Sequence, residues 1–259
     1  FQIKDLIFRP GAERLRPLLV YYGYKLFFHN QSQTTNTLSQ NDVLRLALST
    51  ELFHTAALIH DDIMDKSKTR RGGPSVHEYF ANKYNDRELG INLAILSGDL
   101  CLVWADEVFT LSKINPGLLL KVKKQFDLLR EEVIFGQGLD LVKVRPCSRS
   151  DLIKLYEYKT ERYTFLRQLL LGAVLAGADK KQQEVINKYA IAVGIAFQIR
   201  DDVLDGETGP IGTQKECNDM ARNLVNKGKK ALLEYNDVLN NEAKEFLLEL
   251  ADYCVERKS

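Results

Sequence analysis

The sequence holds few prolines, few cysteines and almost no net charge. Six prolines in 259 residues fall at apparent element edges and leave long stretches uninterrupted. The formal net charge is +1, with 36 basic and 35 acidic residues. That balance argues against a nucleic-acid-binding protein and a polybasic membrane-surface protein. Four cysteines, Cys101, Cys147, Cys217 and Cys254, show no CxxC spacing. They exclude a disulfide scaffold and a zinc site and read as reduced thiols of a cytoplasmic protein. No apolar run reaches bilayer length, so no transmembrane segment is expected. The most apolar run, LLLGAVLAGA at 169–178, is short and flanked by Arg167 and Asp179. There is no secretory signal pattern, and with Phe as the first residue the natural start is expected to lie outside this sequence. The hydrophobic fraction of 45% is that of an ordinary globular domain, and the length allows one large domain or two small ones.

What is present is helix. Apolar residues recur at spacings of three and four, with no convincing strand alternation. Helices are expected over 16–28, 40–65, 91–112, 116–142, 149–177, 181–205 and 213–257, with a polar loop at 30–40. Ser39 followed by Asp42 forms a capping-box pattern that starts the second of these. That helix should be roughly 40 Å long at 1.5 Å per residue. Gly72-Gly73-Pro74, Asn115-Pro116-Gly117 and the stretch Gly206 to Gly212 are the breaks.

One chemical repeat stands out: DDIMD at 61–65 and DDVLD at 201–205. Helical spacing puts Asp61 and Asp65 on one face, with Asp62 beside them. Three unpaired carboxylates there would repel. Hard oxygen donors with no neighbouring His or Cys cluster favour Mg²⁺, which takes one or two carboxylates and draws its other ligands from water and phosphate. Arg70 and Arg71 follow directly, and guanidinium forks bind phosphate oxygens. The patch reads as half of a metal-diphosphate clamp, with Asp201, Asp202 and Asp205 as the other half on a facing helix. A single DDxxD is usually a solvated acidic face; two, each after a long apolar run, make that reading weak.

With these residues in view, the sequence resembles the all-trans isoprenyl (polyprenyl) diphosphate synthases, the family of farnesyl and geranylgeranyl diphosphate synthases. LIHDDIMD with RRGGPSVH resembles its first aspartate-rich motif and FQIRDDVLD its second. RLRPLL at 14–19, AILSGD at 94–99, GQGLDL at 136–141, KT at 159–160 and LADYCVERK at 250–258 fall in the family's order. The resemblance implies an all-α fold, a single large helical bundle around a deep central cavity, spanning 1–259 as one domain and usually a homodimer. It implies three Mg²⁺ ions and head-to-tail condensation of isopentenyl diphosphate with an allylic diphosphate (dimethylallyl, geranyl or farnesyl). By position, Asp61 and Asp65 should ligate two ions, with Asp62 in support. Asp201 should ligate the third, with Asp202 and Asp205 holding its waters. Arg70 and Lys159 should bind the allylic diphosphate. Arg71, Arg16 and His54 should bind isopentenyl diphosphate, and Thr160 and Gln198 should line the reacting region. His60 and His77 read as structural, Tyr163 and Phe165 as core aromatics, and Asp99 and Asp140 as ambiguous.

Two departures from the family pattern matter. Glu13 stands in GAERLR where the family has a lysine, and Lys4 or Arg14 could substitute for it. After residue 205, GETGPIGT leads directly into an amphipathic helix that resembles the family's terminal helix. Either the protein lacks the intervening Gly-Lys loop, or a mobile lid segment near 206–213 is missing; the second is preferred, and Lys215 then lies on a solvated helix face. Ala56 and Ala57, five and four residues before Asp61, leave the tunnel beneath the first motif open for a product of C20 or longer. Phe53 reads equally as the tunnel floor or as a core residue, and walls near Leu102 and Trp104 could set the limit instead. A class I terpene cyclase shares the first motif but rarely repeats DDxxD. A non-catalytic or regulatory subunit of a heteromer commonly loses an aspartate motif; here only Glu13 favours it.

Overall fold

The computed structural model describes residues 2–10, 12–28, 38–142, 149–206, 208–235 and 237–257. Two compact units form. The first joins residues 1–17 to 39–113, and the second joins 18–38 to 114–259.

In the first unit, α1 (Gln2–Phe8) precedes the start of α2 (Leu15–Phe27), and α3 (Gln40–Met64) is the central helix. Ser39 and Asp42 close the expected capping box at the start of α3. A two-residue ladder, β1 (Thr69–Arg70) with β2 (Gly73–Pro74), leads into α4 (Val76–Tyr84) and α5 (Arg87–Thr110). α5 packs along α3 and against α4. The core between them holds Leu6, Ala56, Ile59, Val76, Ala94 and Cys101, with Leu102 and Trp104 packed at its edge. His60 fastens the pair: its Nε2 meets the Ile95 carbonyl at 3.3 Å, and a Cβ at Gly98 would sit 2.2 Å from the ring.

By length and composition α5 could cross a membrane, with a mean hydropathy of 1.4 over its best window, although the sequence shows no uninterrupted apolar run of that length. Asp99 interrupts it, and α5 lies against α3 and α4 as part of a folded unit.

The second unit comprises the rest of α2, α6 (Pro116–Leu141), α7 (Arg149–Tyr156), a π-helical segment (Glu157–Leu166), α8 (Arg167–Leu175), α9 (Lys180–Asp205), α10 (Gln214–Leu233) and α11 (Asn241–Glu256). α2 and α8 touch backbone to backbone. A Cβ at Gly172 would lie 2.0 Å from the Val20 carbonyl oxygen, and one at Gly23 would lie 2.4 Å from that of Leu169. Only glycine permits this approach. Tyr189 of α9 is fully buried and donates to the Leu247 carbonyl of α11 at 2.6 Å.

The described helices differ from the expected ones in four places. α1 and α4 were too short to register as periodic runs. The expected helix 213–257 is two helices, because Glu234 caps α10 and Asn240 starts α11 by accepting from the Ala243 N–H at 3.0 Å. Within 149–177 the ladder shifts to i→i+5 over 157–166, a widening that recurs at functional sites. Between α9 and α10, Gly206 ends α9 with φ +77° and residues 209–211 make a 3₁₀ turn.

Candidate active site

α3 ends at its carboxylates. Asp65 is the C-cap, and Lys66 leaves the helix with φ +55°. Acidic groups at a helix C-terminus meet the negative end of the dipole as well as each other, so this end needs cations. One is supplied locally. Arg70 Nε donates to Asp62 Oδ1 at 2.9 Å and Nη2 to the same oxygen at 2.5 Å, while Asp61 Oδ2 lies 3.8 Å from Nη2. Asp62 is fully buried, and burial raises its pKa against the pull of Arg70. Asp62 is thus spent on Arg70, while Asp61 is half-buried and Asp65 exposed. Among the described residues no three His, Cys, Asp or Glu side chains converge to hold an ion by themselves. Two accessible carboxylates on one helix face form an all-oxygen donor set, which fits Mg²⁺ completed by phosphate and water.

The arginine turn is built from glycine and from a distant arginine. Arg71 (φ +52°) and Gly72 (φ +73°) form the two-residue loop of the β1–β2 hairpin. Arg9 Nη1 donates to the carbonyls of Arg70 and Pro74, each at 2.9 Å. Its guanidinium fills the space where a Gly73 Cβ would lie, 2.7 Å away. Arg9 therefore holds the turn that presents Arg70 and Arg71.

A second cationic group surrounds Glu51, one turn before His54 on α3. Glu51 is buried, and its Oε1 lies 3.7 Å from Arg14 Nη1 and 3.8 Å from Arg71 Nη2, accepting no hydrogen bond. Burial raises the Glu51 pKa, opposed by Arg71, Arg16 and Arg14. Arg16 Nη1 meets His54 Nε2 at 3.0 Å; the guanidinium can only donate, so the imidazole accepts. Burial, then the charges of Arg16, Arg71 and Arg70, hold His54 well below the usual histidine range, and it is neutral at pH 7. Arg14 reaches this cluster from a left-handed backbone (φ +51°), whereas Glu13 is exposed. Three guanidinium groups around one carboxylate leave a surplus of positive charge suited to a polyanion.

In the second unit, α9 ends with Asp201, Asp202 and Asp205. The Tyr156 hydroxyl donates to Asp202 Oδ2, and Gln198 Nε2 donates to Asp202 Oδ1 at 2.9 Å. The Arg257 guanidinium donates to Asp201 Oδ1. Asp205 is exposed. Lys159 and Thr160 fall in the π-segment, and their side chains lie outside the described residues. Glu161 beside them is buried, its Oε1 without a hydrogen-bond partner, and burial pushes its pKa up to about 8.

The remaining expected positions also have places. Ala56 sits in the α3–α5 core, Phe53 is buried and Ala57 is half-buried. His77 is buried beside Ser75; Tyr163 and Phe165 are core residues, Phe165 meeting Phe197 edge-on at 5.4 Å. Lys4 is exposed on α1, Asp99 lies 3.7 Å from His60, and Asp140 is half-buried near the end of α6. Lys215 is exposed, but in the first turn of α10 instead of on the last helix. Arg9, Glu51, Tyr156, Glu161 and Arg257 were not anticipated. Of these, only Glu51 carries a local signal, a lone charge in the apolar run ALSTELFHTAALI.

Helices that end in aspartate triads, one beside an arginine cluster, define an all-α enzyme class built to bind polyanions through metal and guanidinium. The chain belongs to the polyprenyl synthetase family, whose model matches residues 2–247, and is a prenyltransferase of isoprenoid biosynthesis. It is 31% identical to the short chain isoprenyl diphosphate synthase of Methanocaldococcus jannaschii, over 95% of this chain and 69% of that protein. It is 33% identical to the geranylgeranyl diphosphate synthase of Methanosarcina mazei, over 75% of this chain but only 55% of that protein. The chain therefore spans between 55% and 69% of the length of these relatives. In structure it is similar to a geranylgeranyl pyrophosphate synthase of Corynebacterium glutamicum crystallised with isoprenyl diphosphate and magnesium, with a TM-score of 0.85 at 25% identity, covering 98% of this chain and 89% of that one.

Proposed function

We propose that the protein condenses isopentenyl diphosphate with an allylic diphosphate to give an all-trans polyprenyl diphosphate of C20 or longer, with three Mg²⁺ ions engaged by Asp61, Asp65 and Asp201. The observation that carries this reading is the pairing, within one unit, of accessible carboxylates at the end of α3 with the Arg14–Arg16–Arg71 cluster around Glu51. Two diphosphates need two such cationic regions. Bound Mg²⁺ would neutralise the leaving diphosphate as the allylic C–O bond breaks. Arg70, fixed by Asp62, offers its remaining N–H groups to that diphosphate. Arg14, Arg16 and Arg71 hold isopentenyl diphosphate, and neutral His54 keeps Arg16 oriented. Arg14 takes the place of the family's lysine, and the exposed Glu13 points to no loss of this site. Lys159, Thr160 and Gln198 complete the allylic side.

Several further features fit the reading. The family match runs through both units, which supports a single domain over 1–259. Exposed Ile95, Leu96 and Val103 on α5 suit a second copy and support a homodimer. Cys101, Cys217 and Cys254 are buried and unbridged, which supports a cytoplasmic location. The Corynebacterium structure, with its isoprenyl diphosphate and magnesium, supports the substrates and the metal. The test is incubation with Mg²⁺, labelled isopentenyl diphosphate and farnesyl diphosphate, followed by sizing of the dephosphorylated products. A product of C20 or longer is expected. No incorporation, with isopentenyl diphosphate failing to bind, would leave a non-catalytic subunit as the better reading.

A further inference from the structure

α3 and α9 both end in a carboxylate triad at the negative end of a helix, but their arginines are placed differently. At α3 the cation, Arg70, pairs with the middle aspartate, Asp62, and only approaches Asp61 to 3.8 Å. At α9 the cation comes from the C-cap of α11: Arg257 donates to Asp201, the first aspartate, which holds the position in DDVLD that Asp61 holds in DDIMD. The Arg257 side chain is 7% exposed. It also donates to the Phe197 carbonyl at 3.3 Å and lies over the Phe197 ring, 3.9 Å from its centroid. Its own carbonyl accepts from Arg200 Nε at 3.1 Å and Nη2 at 2.8 Å, and Arg200 Nη1 donates to Asn218 at 3.0 Å. Arg257 is thus fixed through both backbone and side chain. A guanidinium stays charged at any working pH, so it cannot leave the carboxylate by titration.

We propose that Arg257 is a positioning residue that acts through Asp201: its guanidinium stands in for the metal in the metal-free enzyme and is displaced when a divalent cation binds there. The proposal rests on the magnesium-diphosphate reading above. Two cations on one carboxylate repel, so bare metal binds weakly at α9, and a diphosphate shifts the balance by adding negative charge. Displacement also releases the end of α11 from α9, so occupancy of the second aspartate site is coupled to order at residues 253–257.

The test uses the full chain with Mn²⁺ as the probe, with and without inorganic pyrophosphate, and free Mn²⁺ is read by electron paramagnetic resonance. Arg257→Gln should bind Mn²⁺ about tenfold more tightly in the absence of pyrophosphate, about one charge contact's worth. Its metal-free form should melt at a lower temperature than wild type, and Arg257→Lys should stay close to wild type in both. Unchanged or weaker Mn²⁺ binding by Arg257→Gln overturns the proposal. Wild-type protein supplies a test that does not depend on a variant folding: amide exchange at residues 253–257 should quicken when Mn²⁺ and pyrophosphate are added together. Equal or slower exchange there also overturns it. If wild type binds no Mn²⁺ even with pyrophosphate, the metal reading falls first, which separates the two failures.

Discussion

Arg9→Ala tests how the arginine turn is held. Arg9 places one guanidinium nitrogen between the carbonyls of Arg70 and Pro74, at 2.9 Å each, with its side chain 10% exposed. Its further bond to Asp5 is to a largely exposed carboxylate and adds little. Two hydrogen bonds from a charged donor, one of them near solvent, suggest a loss of about 2–3 kcal/mol in the variant. The same change removes what keeps Arg71 in its left-handed conformation, so substrate KM should rise several-fold with a smaller effect on kcat. Gly73→Ala attacks the same contact from the other side, because its Cβ would lie 2.7 Å from the Arg9 guanidinium and push it out. The double variant should therefore be no less stable than the worse single one by more than about 0.5 kcal/mol, the non-additivity of one shared contact. Urea denaturation of the four proteins measures this. An Arg9→Ala variant within 0.5 kcal/mol of wild type, or full additivity with Gly73→Ala, would refute the reasoning.

Gly172→Ala should cost about 2–4 kcal/mol or prevent folding, because its Cβ meets the Val20 carbonyl oxygen at 2.0 Å and neither backbone can retreat; thermal melting by circular dichroism checks this. Glu161 has its folded-state pKa raised to about 8 from an ordinary value of 4.5, so the folded state holds the extra proton and its stability falls as pH rises between these values. Glu161→Gln should remove that slope: its melting temperature relative to wild type should be higher at pH 8.5 than at pH 5, and parallel profiles would count against a buried, neutral Glu161. Phe53→Ala should lengthen the product if Phe53 is the tunnel floor, and should cost about 3–5 kcal/mol with an unchanged product if it is only core, which product sizing and denaturation separate.

The sequence by itself determined what rests on near neighbours. The spacing of apolar residues gave the long helices. Ser39 and Asp42 set the start of α3, and the two DDxxD runs placed acidic groups on helix faces, because each depends only on positions a turn apart. Motif order was enough to name the family. The tertiary structure alone decided how those acidic groups are neutralised. Asp62 rather than Asp61 takes Arg70, Glu51 gathers Arg14 and Arg71, and Arg9 braces a turn more than 60 residues away. Arg257 reaches Asp201 across 56 residues. The division between α10 and α11 and the π-segment at 157–166 also escaped periodicity, since a continuous apolar stripe persists through a short break or a widened turn. Burial decides which carboxylate meets a cation, and burial belongs to chain segments brought together from far apart in the sequence, where no local pattern records the pairing.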